Sequence, residues 1–157
     1  MKKLFLSIAI TFAAVSFASA QVNPHTIGLR FGGGSSFGAE FSYQHGLGET
    51  NRIEANLGFD GGDGWNALGA TAMYHWDWNL TQGLNWYVGP GAGIGFYNPK
   101  DSGGKFNLGI GGQIGLEYDF STLGAPILLS LDARPMWNFI GNTGFGWGTS
   151  LGVRYIW

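Results

Sequence analysis

The chain contains no cysteine. That absence removes disulfides, thiolate metal centres, cysteine nucleophiles and a lipid-modified cysteine anchor together. Charge is also scarce. Only 11% of the residues are charged, where a soluble domain carries roughly 25%. The 8 basic and 10 acidic residues leave a formal net charge of −2, so no basic patch exists to attract a nucleic acid. Proline occurs five times. After Ala20 no apolar run approaches the ~20 residues that a transmembrane helix needs. Glycine and aromatics fill the space instead: 29 Gly in 157 residues, and 16% Phe, Trp and Tyr. Aromatic and aliphatic residues interleave with the glycines, which is not a linker composition. The length suits one domain with a sizeable core.

The N-terminus reads as a targeting segment. Met1-Lys2-Lys3 is basic, Leu4 to Phe17 is apolar, and Ala18-Ser19-Ala20 has the A-x-A form of a cleavage site. This is the layout of a secretory signal peptide removed before Gln21. The sequence therefore predicts a signal peptide over 1–20 and a single domain over 21–157.

Beyond Gln21, apolar and polar residues alternate with period two between clusters of Gly, Asn, Asp, Ser and Pro. No helical period competes. Eight strands are predicted, over 26–33, 37–47, 52–60, 67–80, 84–98, 105–120, 127–139 and 146–157. Their even spacing predicts an up-and-down meander without long crossovers. One face of each strand is uncharged and large, running through Leu29, Phe37, Phe41, Leu57, Ala72, Ile94, Ile110, Leu131 and Leu151. The opposite face is polar or bare. It takes Arg30, Glu40, Arg52, Glu54, Asp60, Asp77, Glu117, Asp119, Asp132, Arg134 and Arg154, along with glycines such as Gly89, Gly91, Gly93 and Gly95.

Which face points outward decides the class. A water-facing exterior needs many Lys and Glu, and the polar face here is glycine-rich with too few charges. In a membrane barrel the apolar face meets lipid and the small polar face lines a narrow interior. Eight strands enclose a space that side chains just fill. The sequence thus predicts an all-β, eight-stranded antiparallel up-and-down transmembrane β-barrel. With both termini periplasmic, Tyr43, Trp76, Trp78, Trp86, Tyr118, Phe120, Tyr155 and Trp157 fall at one rim. Phe31, Phe37, Phe59, Phe96, Phe106, Trp137, Phe139 and Trp147 fall at the other. Two aromatic girdles are what the two membrane interfaces favour.

Eight alternating strands after a signal peptide, ending in Leu151-Gly152-Val153-Arg154-Tyr155-Ile156-Trp157, resemble a small OmpA/OmpX-type outer-membrane barrel. The resemblance covers the chain from about residue 25 onward. It implies residence in the Gram-negative outer membrane. It also makes Val153, Tyr155 and Trp157 a C-terminal assembly signal read by the barrel assembly machinery. Fold alone does not deliver a function in such a family.

Two features stand apart from a regular barrel. Pro90 and Pro135 fall inside strands five and seven, and each lacks a ladder donor, which predicts a bulge or an unpaired carbonyl nearby. The loops at the end away from the termini are short, as in Gly33-Gly34-Ser35-Ser36 and Gly61-Gly62-Asp63-Gly64, which argues against a loop-borne adhesin role.

Candidate chemistry is sparse. His75 and Asp77 share the inward face of one strand, but a structural histidine fits better there than a catalytic one. Two ligands are too few for zinc, and His25 and His45 fall at the termini-bearing rim. No cofactor and no enzymatic activity are expected. The inward charges are the informative set, because charges in a narrow lumen pair or stay hydrated. The sequence predicts a monomeric envelope protein, embedded in the lipid bilayer, whose lumen is plugged by Arg–carboxylate pairs. A narrow cation-preferring pore and a lipid-modifying enzyme are the alternatives.

Overall fold

Period-two alternation with one lipid-compatible face leaves a sheet edge that must be closed, because unpaired backbone groups are costly in hydrocarbon. The computed structural model describes residues 22–34 and 36–157, and shows that closure. Eight antiparallel strands run in chain order: β1 His25–Gly33, β2 Ala39–Gly46, β3 Asn51–Gly62, β4 Trp65–Thr81, β5 Leu84–Pro99, β6 Lys105–Asp119, β7 Ile127–Ile140 and β8 Gly144–Ile156. Each strand pairs with the next, and β8 returns to pair with β1 through Ile27↔Tyr155 and Leu29↔Val153. The fold is the closed up-and-down barrel expected from the alternation. The predicted signal peptide lies outside the described residues.

The parity holds around the wall. On β3, Arg52, Glu54 and Asn56 are buried while Ile53, Ala55 and Leu57 are exposed, Leu57 to 63%. On β7, Leu128, Ser130, Asp132 and Arg134 are buried while Leu131 is 59% exposed. Burial is thus inverted from that of a soluble protein: the interior is polar and the exterior apolar. Aromatic rings group toward the two rims. Trp78 stacks on Trp86 with centroids 4.6 Å apart, and Tyr118 meets Phe120 edge-on at 4.7 Å. At the opposite rim Phe96 and Phe106 are 5.1 Å apart.

Two assignments need correction. Phe37 was expected to face lipid as part of the second strand, but β2 begins at Ala39. Phe37 instead folds inward from the preceding turn, and its ring occupies the space that a Cβ would take at Gly58 and Gly69. The sixth strand stops at Asp119, and Phe120–Leu123 form a single turn of 3-10 helix. Asp119 caps that turn by accepting from the Ser121 backbone N–H at 2.8 Å. Gly124 ends it with φ +87°, a left-handed position that suits glycine.

The two strand prolines interrupt one seam each without shifting it. Between β4 and β5 the ladder omits the pairs between Met73↔Gly91 and Trp76↔Val88, around Pro90. Between β6 and β7 it omits the pairs between Gly111↔Met136 and Ile114↔Ala133, around Pro135. On their other sides both prolines stay in register, as Pro90↔Gly112 and Pro135↔Trp147. A missing N–H removes a rung, while the neighbouring rungs hold the register. No bulge forms there; the register shifts lie elsewhere, at Asn79/Thr81 and Leu108/Gly109.

Candidate functional site

Among the described residues, charge gathers in the lumen, and every strand except β5 contributes a charged group to it. Glycine makes the room. At Gly115 an added Cβ would lie 2.5 Å from the Tyr87 ring and 2.7 Å from Asp132 Cβ. At Gly152 it would lie 2.5 Å from Ser130 Oγ and 2.9 Å from an Arg154 guanidinium nitrogen.

Nine of the eleven charged residues assigned inward are joined in ion pairs. Arg30 Nη1 donates to Glu40 Oε2 at 2.6 Å, and its Nη2 donates to Asp132 Oδ1 at 2.5 Å. Arg134 forks onto the same Glu40, at 2.7 and 3.1 Å. Arg154 reaches Glu54 Oε2 at 2.8 Å while donating to Ser42 Oγ at 3.0 Å and Ser130 Oγ at 2.7 Å. Arg52 forks onto Glu117 with two bonds of 2.7 Å and stands 2.9 Å from Asp77 Oδ2. Glu54 is a hub. It accepts from Arg154, Gln44, Asn56 and Gln113, and Arg30 Nη1 lies 3.3 Å away. Arg30, Arg134 and Glu54 all have 0% side-chain exposure.

Three of the hydrogen-bonded pairs span the lumen. Arg134–Glu40 joins β7 to β2, Arg154–Glu54 joins β8 to β3, and Arg52–Glu117 joins β3 to β6. Each links strands three steps apart around the ring of eight, close to opposite walls. Forked guanidinium–carboxylate pairs fix geometry as well as charge.

Asp60 and Asp119 lie outside this set. Asp119 caps the 3-10 turn and accepts from Asn23 Nδ2 at 3.0 Å. Asp60 accepts from the Gly61 N–H at 2.8 Å at the other end of the barrel. The ion-paired set therefore holds four guanidiniums and five carboxylates, nearer to neutrality than eleven inward groups imply.

Tyr87 was not singled out in the sequence. It is buried, its Oη donates to Asp132 Oδ2 at 3.1 Å, and the Arg52 guanidinium sits 4.6 Å over its ring. The available signal was parity, which turns it inward between Trp86 and Val88, together with the glycine directly across at Gly115. His75 accepts from Arg52 Nε at 3.4 Å and lies 4.7 Å from the Tyr87 ring. His75 and Asp77 thus both face Arg52. Among the described residues, no cluster of three or more His, Asp or Glu is placed to hold a metal ion.

At the end of the barrel away from the termini, the lumen widens into a cavity of about 590 Å³. Phe37, Thr71 and Met136 line it beside Asp60, Trp65, Tyr97, Lys105, Asn107 and Asn138. Val153, Tyr155 and Trp157 are exposed on the outer wall of the chain's last strand and rim.

A closed eight-stranded barrel with an apolar outer wall, aromatic rims and an ion-paired interior has the architecture of the small outer-membrane barrels. Two solved structures agree at the level of fold. Neisserial surface protein A (NspA) superposes with a TM-score of 0.61 at 15% identity, covering 85% of this chain and 96% of that one. The N-terminal β-barrel domain of Pseudomonas aeruginosa OprF gives 0.52 at 20% identity, covering 87% of this chain and 100% of that domain. Ail, the attachment invasion locus protein of Yersinia pestis, aligns over 85% of this chain at 11% identity with a TM-score of 0.48. No family model and no curated protein sequence matches the chain.

Proposed function

We propose that this chain is an integral protein of the Gram-negative outer membrane, closed to solutes, with a structural role in the envelope. The observation that carries the reading is the set of ion pairs spanning the lumen, above all Arg134–Glu40 and Arg52–Glu117. Charges held so firmly against opposite walls obstruct a path that a pore would keep wet. In this reading the termini-bearing rim faces the periplasm, and residues 1–20 direct export. The protein is monomeric and not an enzyme, since His75 and Asp77 are engaged with Arg52. The barrel assembly machinery reads Val153, Tyr155 and Trp157.

Planar-bilayer recording tests it. The wild type stays silent, and Arg134→Ala opens a leak. Small cation-selective steps from the wild type would replace the plug with a narrow pore. Localisation has its own test. Trp157→Ser lowers the amount of barrel in fractionated outer membranes while detergent-refolded protein still closes; unchanged membrane levels would remove the assembly signal from the proposal.

A further inference from the structure

On the outer wall at the termini-bearing rim, β1 and β2 set His25 directly opposite His45. The two Nδ1 atoms are 3.2 Å apart. Tyr43, two positions along β2 on the same face, brings its Oη to 3.0 Å from that same His25 Nδ1. An imidazole nitrogen offers one in-plane position, for a proton or a lone pair. Here a second imidazole nitrogen and a phenol oxygen both lie within hydrogen-bond distance of it.

One proton on that nitrogen joins His25 to a single partner, whereas a divalent metal ion is held by all three donors at once. With metal–nitrogen distances of about 2.0–2.1 Å, two tetrahedrally arranged nitrogens stand ~3.3 Å apart. The observed 3.2 Å separation is close to that spacing. Imidazole and phenol oxygen select a borderline transition cation such as Zn²⁺, Cu²⁺ or Ni²⁺ over Mg²⁺ or Ca²⁺. His45 is exposed, so an ion reaches the pair from water.

We propose that His25, His45 and Tyr43 together form a three-donor binding site for one borderline divalent transition-metal ion at the rim of the barrel, one donor more than His75 and Asp77 could offer. Its place gives it a consequence. The Trp157 ring stacks on His25 with centroids 5.7 Å apart and planes 19° from parallel. The Trp157 backbone N–H donates to the His25 carbonyl at 3.2 Å. An ion on His25 and His45 therefore ties β2 to β1 at the point where the chain's last residues close against β1.

The test uses the whole barrel in detergent, carrying no polyhistidine tag. Cu²⁺ is titrated against tryptophan fluorescence, and Zn²⁺ is titrated by calorimetry. One equivalent saturates each titration, EDTA restores the fluorescence, and Mg²⁺ has no effect. His25→Asn and His45→Asn, each confirmed as folded by its heat-modifiable mobility on gels, weaken Zn²⁺ binding tenfold or more. Trp157→Phe keeps the calorimetric binding and loses most of the Cu²⁺ quenching. The site is overturned if no saturable Zn²⁺ or Cu²⁺ binding occurs, or if either histidine variant titrates like the wild type. Full quenching in Trp157→Phe would equally contradict it.

Discussion

The two ends of the lumen are built by the same eight strands but filled in opposite ways. Toward the termini, Arg30, Arg52, Arg134 and Arg154 meet five carboxylates, with Tyr87, Met73 and Leu128 buried among or near them. Beyond Phe37 and Met136 the strands turn glycines, amides and two aromatics inward, with Asp60 and Lys105 as the charged residues lining a cavity of about 590 Å³. Strand number sets the bore of a barrel, so both ends start from similar space. Side-chain length decides the rest. Arginines span the lumen from one wall to a carboxylate near the other; glycine, serine and asparagine do not. The lesson is that a barrel of fixed width can be a plug at one end and a vestibule at the other through residue choice alone.

The sharpest way to break this contrast is Arg52→Ala. Among the described residues Arg52 is the one cation paired with both Asp77 and Glu117. Its loss strands two buried acids and should destabilise the barrel by about 3–5 kcal/mol, read by urea titration of the barrel in lipid vesicles. Arg134→Ala should cost less, because Glu40 keeps Arg30 at 2.6 Å. Small effects from both variants would mean that water already hydrates the packed end.

The contrast also needs the same inward parity along the whole wall. Ile114, exposed on β6, checks it. Ile114→Arg should cost roughly 2–4 kcal/mol near mid-bilayer in the same titration. A neutral result would place Ile114 away from lipid.

Glycine substitutions compare the two ends directly. At Gly115 a methyl would press on Tyr87 and Asp132, so Gly115→Ala should cost about 1–3 kcal/mol through overpacking. At Gly95 the nearest atoms are 3.7 Å from an added Cβ, so Gly95→Ala should stay within about 0.5 kcal/mol. Thermal unfolding of the two variants side by side would show whether the vestibule is as roomy as its geometry says. The smallest effect belongs to Asp60→Asn. Asp60 makes its hydrogen bond to a loop N–H at the open end, and the change should lie within about 0.5 kcal/mol. A loss as large as that of Arg134→Ala would return Asp60 to the ion-paired set.

Much of this architecture was legible before the structure. Strand number, order and facing follow from a period-two pattern sustained from Ile27 to Trp157, since a one-residue slip would turn every Leu and Phe inward. The same parity placed Arg30, Glu54 and Arg134 inside. It failed at Phe37, where a turn residue outside the pleat adopts a direction that alternation does not govern. It failed in a different way at Asp60 and Asp119, which have the expected parity but lie at strand ends, beyond reach of the arginines. Tyr87 went unremarked because its meaning depends on a neighbour, Gly115, that is distant in sequence.

Closure into a barrel with a charged inside and an apolar outside follows from the alternation along the chain. Backbone hydrogen bonding in lipid leaves few other solutions for eight such strands. Which arginine meets which acid is set by the folded barrel instead. Arg134 and Glu40, or Arg154 and Glu54, are 94 and 100 residues apart in the chain. Their pairing depends on shear and strand tilt, which rotate each inward residue to its own height along the barrel axis. Alternation specifies a face; it carries no information about height. The same applies to His25 and His45, whose facing nitrogens come from the cross-strand register of β1 and β2.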